Sequence, residues 1–384
     1  MKKSIKSTVS LMMGMGIAFS CVACAPQETP QEMPKIEATV TVSQFDAPVD
    51  LLHTNVLGYL QDDPNVLVSD WLLGGNRRED KGCPVTFEYE LKTEADVEVE
   101  SAQVQVSATE DFAVIIETAE FDRFRPSTAN VYRLSVGKKY YYRVNATLTG
   151  GQVITSATSS LETANSLQFI ALDGANNVRD IGGWKTESGG TVKYGMLYRG
   201  SEIDGGKNVG HADFCLTPRG VQQLRALGIK TDFDLRSPDV AKGEHSILGE
   251  DVTRKFYNAA QYESALTQAE TTRKIFSDLA NPEAYPIYLH CTHGVDRAGT
   301  TCLLLEGLLG VAKDDLVRDY ELSAFYYNYA HVNRNVQNGG NVLNLIEGLE
   351  AFEGETFADK VETFMLSIGV TAEEIASIRS IFLG

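Results

Sequence analysis

The sequence predicts an all-β sandwich domain followed by an α/β domain in which helices cover a layered sheet. Three observations lead there. The 384 residues suffice for two ordinary domains and a leader. Residues 84 to 163 alternate apolar and polar side chains in short runs separated by turns, the period of half-buried strands. Beyond residue 165 the period changes, and strand-like runs alternate with helical ones to residue 384.

The leader comes first. "MKKSIKSTVSLMMGMGIAFSCVACAPQ" has a basic start, an apolar middle and small residues before a cysteine, the plan of a secretory signal. Residues 1–23 are read as a lipoprotein-type signal peptide, with Cys24 (or Cys21) bearing the lipid; cleavage without lipidation is the alternative. The expectation is a protein exported and lipid-anchored in the membrane of a bacterial cell envelope, or else secreted. Residues 24–38, rich in Pro and Glu, read as a flexible tether.

The sandwich is assigned to residues 39–163, with no detailed reading before residue 84. Its strands are "VTFEYELKT", "VEVESAQVQVSA", "FAVIIETAEF", "YYYRVNATLT" and "QVITSATSSLET", with turn signals at Val136-Gly137-Lys138 and Gly150-Gly151. Nothing in it groups an acid, a base and a nucleophile, so it is read as a spacer or as a binding module for an unidentified partner.

The α/β domain is assigned to residues 165–384. Its strand-like runs are "GMLYRG", "KTDFDLRS", "TRKFYNA" and "YPIYLHC". Helical runs include "TPRGVQQLRALG", "SALTQAETTRKIFSDLA", "AGTTCLLLEGLLG" and "KDDLVRDYELSAFYYNYA". Thr217-Pro218 opens the first helix and Gly228 closes it, while Thr371 with Glu374 forms a capping box for the last.

Composition narrows the function. A net charge of −18 argues against nucleic-acid binding, and any anion site must be locally positive. Beyond the leader, Cys83, Cys215, Cys291 and Cys302 show no CxxC pair and no metal-ligand spacing with the six histidines, so neither a disulfide framework nor a metal site is expected.

The chemistry is concentrated in "IYLHCTHGVDRAGTTCLLL". Cys291 ends a strand, a turn follows, and a helix starts near Ala298. Backbone N–H groups of such a turn can converge on one point, and the helix N-terminus adds positive potential. Gly294 lets the backbone bend tightly. Arg297 offers a planar fork that grips two oxygens of a phosphate. One nest would then bind a phosphate dianion and stabilise the Cys291 thiolate beneath it. The cysteine would attack phosphorus in line to form a phosphocysteine, and water would then release phosphate from it. No cofactor is expected. Cysteine and arginine at this spacing alone would also fit mere packing; His290, Gly294 and the strand–turn–helix context weigh against that.

With those residues in view, the domain resembles the bacterial tyrosine phosphatase family of the cysteine-dependent superfamily, whose loop reads HCxxGxxR. "NNVRDIGGW" resembles its NFRDLGG motif, "GMLYRGSEI" its LYRS segment and "LRALGIKTDFDLRSPDV" its LGI–DLRS segment. "DDLVRDYELS" and "FMLSIGVTAEEIASIR" match its helical end. The resemblance covers about residues 170 to 384 and implies an α/β phosphatase domain. Separately, "LSVGKKYYYRVNATLTGG" resembles the penultimate strands of fibronectin type III modules, and the sandwich as a whole resembles a fibronectin type III or immunoglobulin-like domain.

The family resemblance implies that Cys291 is the nucleophile, Arg297 the phosphate clamp and Asp296 the general acid. Asp234 is the other candidate acid, with bracing as its alternative role, and Arg236 braces the site. His290 shapes the loop around the cysteine. Thr292, His293, Gly294, Val295 and Ala298 belong to the substrate-binding loop, with His293 at its rim. Arg179 and Asp180 read as a structural ion pair, and Arg199 as similarly structural. Two departures stand out. Val295 replaces a lysine that serves phosphoinositide headgroups, which disfavours those substrates. Ala298 replaces a threonine or serine that assists the departing thiolate; Thr300 and Thr301 lie one turn on. Three readings follow: a protein-tyrosine or dual-specificity phosphatase, a phosphoinositide or inositol-phosphate phosphatase, and a catalytically weak phosphate-binding adhesion module.

Overall fold

The computed structural model describes residues 35–72, 79–94, 96–122, 128–205, 214–240, 243–326, 332–337 and 340–383; the leader, with Cys21 and Cys24, lies outside them. The first eight strands are β1 (Ala38–Val42), β2 (Val85–Thr93), β3 (Val99–Ser107), β4 (Ile115–Glu120), β5 (Thr128–Val131), β6 (Lys139–Leu148), β7 (Val153–Thr155) and β8 (Ser159–Glu162). They form two antiparallel sheets, β1-β2-β5 and β4-β3-β6-β7, with β8 also paired to β6. Along β6 the alternate residues Tyr140, Tyr142, Val144 and Ala146 face inward. They share one core with Val40 and Phe87 of the other sheet. The Tyr142 hydroxyl donates to the Ser43 carbonyl at 2.6 Å, tying β6 to the chain leaving β1.

The α/β part contains β9 (Arg179–Asp180), β10 (Leu197–Gly200), β11 (Thr231–Asp234), β12 (Thr253–Phe256) and β13 (Ile287–His290). Their order is β12-β11-β13-β10-β9; the first four are parallel and β9 runs antiparallel. A parallel sheet needs cover on both faces. Leu197, Phe233, Ile287 and Leu289 enter the larger core, with helices α4 (Ala269–Leu279), α5 (Asp296–Leu308), α8 (Phe357–Ser367) and α9 (Ala372–Phe382). Tyr198 and Tyr288, alternating with them, pack on the other face against Leu224 of α2 (Pro218–Arg225).

Several helices differ from the sequence reading. The run "SALTQAETTRKIFSDLA" divides at Gln268, with ψ 54°, into α3 (Ser264–Thr267) and α4. The run from residue 313 continues beyond α6 (Lys313–Glu321) only as a 3-10 turn, Leu322–Phe325, within the described residues. Helix α7 (Val342–Glu350) was not foreseen, although Val342, Leu345 and Leu349 carry its apolar face and Asn341 caps it. The predicted capping box of α9 is present, with Thr371 and Glu374 bonded reciprocally.

The assignment of residues 39–163 to the β module needs correction between residues 50 and 83. Leu52, Val68, and Val56 and Tyr59 of α1 (Thr54–Gln61) lie in the α/β core. A helix of two turns is marginal alone and takes its stability from the face it buries. The chain then clasps the α/β domain. Glu79 N donates to the Phe325 carbonyl at 3.2 Å, and the buried Asp80 carboxylate accepts from Asn177 N at 2.7 Å. Lys81 Nζ donates to the Leu172 carbonyl at 3.2 Å. Where the β module joins this body, Cys83 N bonds Leu51 O at 2.7 Å and Ala164 N bonds Val49 O at 2.9 Å. Cys83, Cys215, Cys291 and Cys302 are free thiols.

Candidate active site

The register of the parallel strands sets the site. Gly200, His290 and Asp234 lie side by side at the ends of β10, β13 and β11. The carboxyl end of a parallel sheet is where such folds hold ligands. Cys291 follows the central strand and is 1% exposed, at the base of the loop that leads into α5. Gly294 has φ +72°, and a Cβ there would come within 2.4 Å of the Gly200 carbonyl, so the turn demands glycine.

The loop is shaped by what takes its carbonyls. Thr292 O accepts from Glu202 N at 3.0 Å. His293 O and Gly294 O accept from Asn177 Nδ2 at 3.3 and 3.1 Å, and Gly294 O also accepts from Arg199 at 3.0 Å. In a trans peptide the N–H points opposite to its C=O. Three successive carbonyls drawn outward therefore turn the N–H groups of residues 293 to 295 into the cup. No side chain caps α5, so its first-turn donors add to the same positive end. Arg297 reaches back over the loop and donates to Thr292 Oγ1 at 3.2 Å. The result is a concave, positive nest above a buried thiol.

Residues 170–384, more than half of the chain, match the model of the tyrosine phosphatase family. The chain belongs to the tyrosine phosphatase family. A candidate tyrosine-protein phosphatase of Cupriavidus necator is 27% identical over 177 residues, 39% of this chain and 61% of the relative. A tyrosine-protein phosphatase of Nostoc commune is 27% identical over 134 residues, 29% of this chain and 46% of the relative. The chain thus spans less than two thirds of the length of either relative.

At Val295 and Ala298 the loop presents backbone rather than side chain to the cup. Both side chains are buried in the core beneath the loop, not at a rim facing substrate. Of the hydroxyls one turn on, Thr300 Oγ1 accepts from Tyr262 N at 2.7 Å, and Thr301 Oγ1 donates to the Arg297 carbonyl at 3.0 Å. His293 is half-buried with its ring edge-on to Phe214, centroids 5.1 Å apart. Asp296 is half-buried and accepts a hydrogen bond from the Tyr262 hydroxyl.

Behind the tyrosine phosphatase loop lies a buried charge network. Asp234 accepts from Arg236 at 2.9 and 2.7 Å and from Arg254 at 2.6 Å. Asp204 takes both Arg236 terminal nitrogens at 2.9 Å, and Glu202 pairs with the same guanidinium. Burial alone would raise the Asp234 pKa, but His290, Arg236 and Arg254 hold it down at about 2. His290 Nε2 lies 3.0 Å from Asp232 Oδ1. Burial disfavours the imidazolium, yet Asp234 and Asp232 outweigh it and raise the His290 pKa.

The expected Arg179–Asp180 ion pair is absent. Arg179 pairs instead with Asp319 at 3.0 Å, as does Arg199, while Asp180 accepts from Gly182 N and Gly195 N at 2.8 and 2.6 Å. The antiparallel register explains this: Arg179 and Arg199 are cross-strand partners and share one carboxylate. Asn177, Asp232, Arg254, Tyr262 and Asp319 were not foreseen. Asn177, Asp232 and Asp319 lay inside recognised motifs without being assigned a role, and the aim of Asn177 at the loop depends on its left-handed backbone, φ +54°.

Proposed function

We propose that the chain is a phosphomonoester hydrolase acting through a phosphocysteine intermediate, with protein phosphotyrosine as its substrate class. The observation that carries this is the loop itself, with Cys291 buried beneath three outward-drawn carbonyls and Arg297 folded over the mouth. In the first step Cys291 Sγ attacks phosphorus. The Sγ–P bond forms as the bond to the leaving oxygen breaks, and Asp296 gives that oxygen its proton. The inward N–H groups and Arg297 hold the equatorial oxygens throughout. Water then attacks phosphorus and loses a proton to the Asp296 carboxylate, the Sγ–P bond breaks, and inorganic phosphate leaves the thiolate.

Asp296 is favoured over Asp234 because a carboxylate held ionised by two guanidinium groups has no proton to give at neutral pH. The half-buried His293 beside Phe214 supports an aryl group at the mouth. Cys291→Ser is expected to abolish phosphate release while tungstate still binds, since the nest does not depend on sulfur. A serine variant that turns over at the wild-type rate would sink the proposal.

We also read the two-sheet module as fibronectin type III-like, supported by its antiparallel pairing around one core. Export and lipid anchoring through Cys24 (or Cys21) rest on the leader alone. Mass spectrometry of the native N-terminus tests them; an intact Met1 refutes export.

A further inference from the structure

We propose that Tyr262 is the positioning residue for the proton donor, its hydroxyl fixing the orientation of the Asp296 carboxyl during both half-reactions. This rests on the reading of Asp296 as the general acid.

Tyr262 grips α5 twice. Its hydroxyl donates to Asp296 Oδ1, and its backbone N donates to Thr300 Oγ1 at 2.7 Å. Asp296 and Thr300 are four residues apart, so they lie on one helix face, one above the other. The grip is set by an unusual backbone: Tyr262 has φ +53°. That region is sparsely populated by residues with a Cβ and persists where surrounding contacts over-determine it. The ring is 2% exposed and stands edge-on to Tyr320 of α6, centroids 6.0 Å apart.

The hydroxyls form an ordered chain. Tyr262 and Tyr320 oxygens are 2.9 Å apart. Tyr262 has one proton to donate, and Asp296 receives it, so Tyr320 must donate to Tyr262. Burial, then Tyr320 and Asp296, push the Tyr262 pKa up, and burial above all pushes Tyr320 up to about 12. Both hydroxyls therefore keep their protons at neutral pH and act as fixed dipoles. The groups around Asp296 include Tyr262 before α3 and Tyr320 on α6, with Arg199 of β10 and Glu321 acting on Tyr320, and Arg297 follows it on the same helix.

The consequence for chemistry is specific. With Oδ1 accepting from Tyr262, the transferable proton is carried by Oδ2, one defined atom. After transfer the bond from Tyr262 becomes charge-assisted and strengthens, favouring the ionised carboxylate. The same bond holds that carboxylate ready to take a proton from water in the second half-reaction.

The test is a leaving-group series, from activated aryl phosphates to alkyl phosphates, measured as kcat/KM across pH for Tyr262→Phe, Asp296→Asn and the double variant. Tyr262→Phe should slow alkyl phosphates on the order of tenfold while barely affecting activated aryl phosphates, a part of what a general acid supplies. Its pH limb for the protonated acid should move upward, because the carboxylate has lost a donor. In the Asp296→Asn background it should not steepen the leaving-group dependence further. Tungstate binding checks that the variants are folded. If Tyr262→Phe fails to fold, Tyr320→Phe should show the same shifts at about two- to threefold. An unchanged slope and limb, alongside a steepened slope in Asp296→Asn, overturns the role of Tyr262. A flat slope in Asp296→Asn overturns the reading of Asp296 itself, and this inference with it.

Discussion

Along β6, buried Tyr142, Val144 and Ala146 alternate with residues half open to water; along β11 and β13 every residue is buried, Asp232, Asp234 and His290 included. Among the described residues, no charged side chain is buried on a strand of the β module. The antiparallel sheets need cover on one face only, and leave their polar groups in water. The parallel sheet is covered twice, so a charge at its edge loses water and must find partners in protein. Those partners fix it in place. The difference bears on where the loop sits: the covered carboxyl end of the sheet holds guanidinium and carboxylate groups in fixed pairs beside it.

The largest break in this contrast comes from Arg236→Met. It leaves Glu202 buried without its arginine, and Asp234 and Asp204 with Arg254 alone, and stability should fall by about 4 kcal/mol in urea unfolding. A loss below about 1 kcal/mol would mean that the network holds nothing. Next is pH. The folded Asp234 pKa of about 2 lies below its ordinary 3.8, so its stabilisation is present above that value and is lost as pH falls toward 2. The amount is about 2 kcal/mol. The raised His290 pKa has the opposite sign: its contribution is full below 6.5 and is lost as pH rises through the folded value. Urea midpoints across pH should therefore fall less steeply toward pH 2 in Asp234→Asn than in the wild type; equal slopes would contradict the assignment. The smallest effect sharpens the contrast from the other side. Tyr142→Phe removes one neutral hydrogen bond in the β module and should cost about 1 kcal/mol, with kcat unchanged. A fall in kcat would show that the two regions are coupled through that contact.

The spacing of Cys291, Gly294 and Arg297 made the loop legible, because strand, turn and helix signals are local. The strands of β2, β3, β4 and β6 were legible for the same reason, as was the cap of α9. The supports were not. Asn177 meets Gly294 across 117 positions, and Arg179 meets Asp319 across 140. No local pattern announces such pairs, and Arg179 beside Asp180 misled by adjacency, since neighbours in a strand point to opposite faces. Val295 marks a different limit: a motif gives its position in the loop, but only the structure shows that the start of α5 turns its side chain into the core.

The clasp of residues 79 to 81 bears on where the enzyme begins. A chain started at residue 170 would strip Asn177 of the Asp80 carboxylate and expose the surface covered by Leu52, Val56, Tyr59 and Val68. Seen from the catalytic body, the strands from β2 to β8 are an insertion, leaving and returning through a neck where Leu51 meets Cys83 and Val49 meets Ala164. The α/β body is therefore discontinuous in sequence: Leu52, Val56, Tyr59 and Val68, with residues 79 to 81, pack against or bond to a domain that resumes only after residue 164.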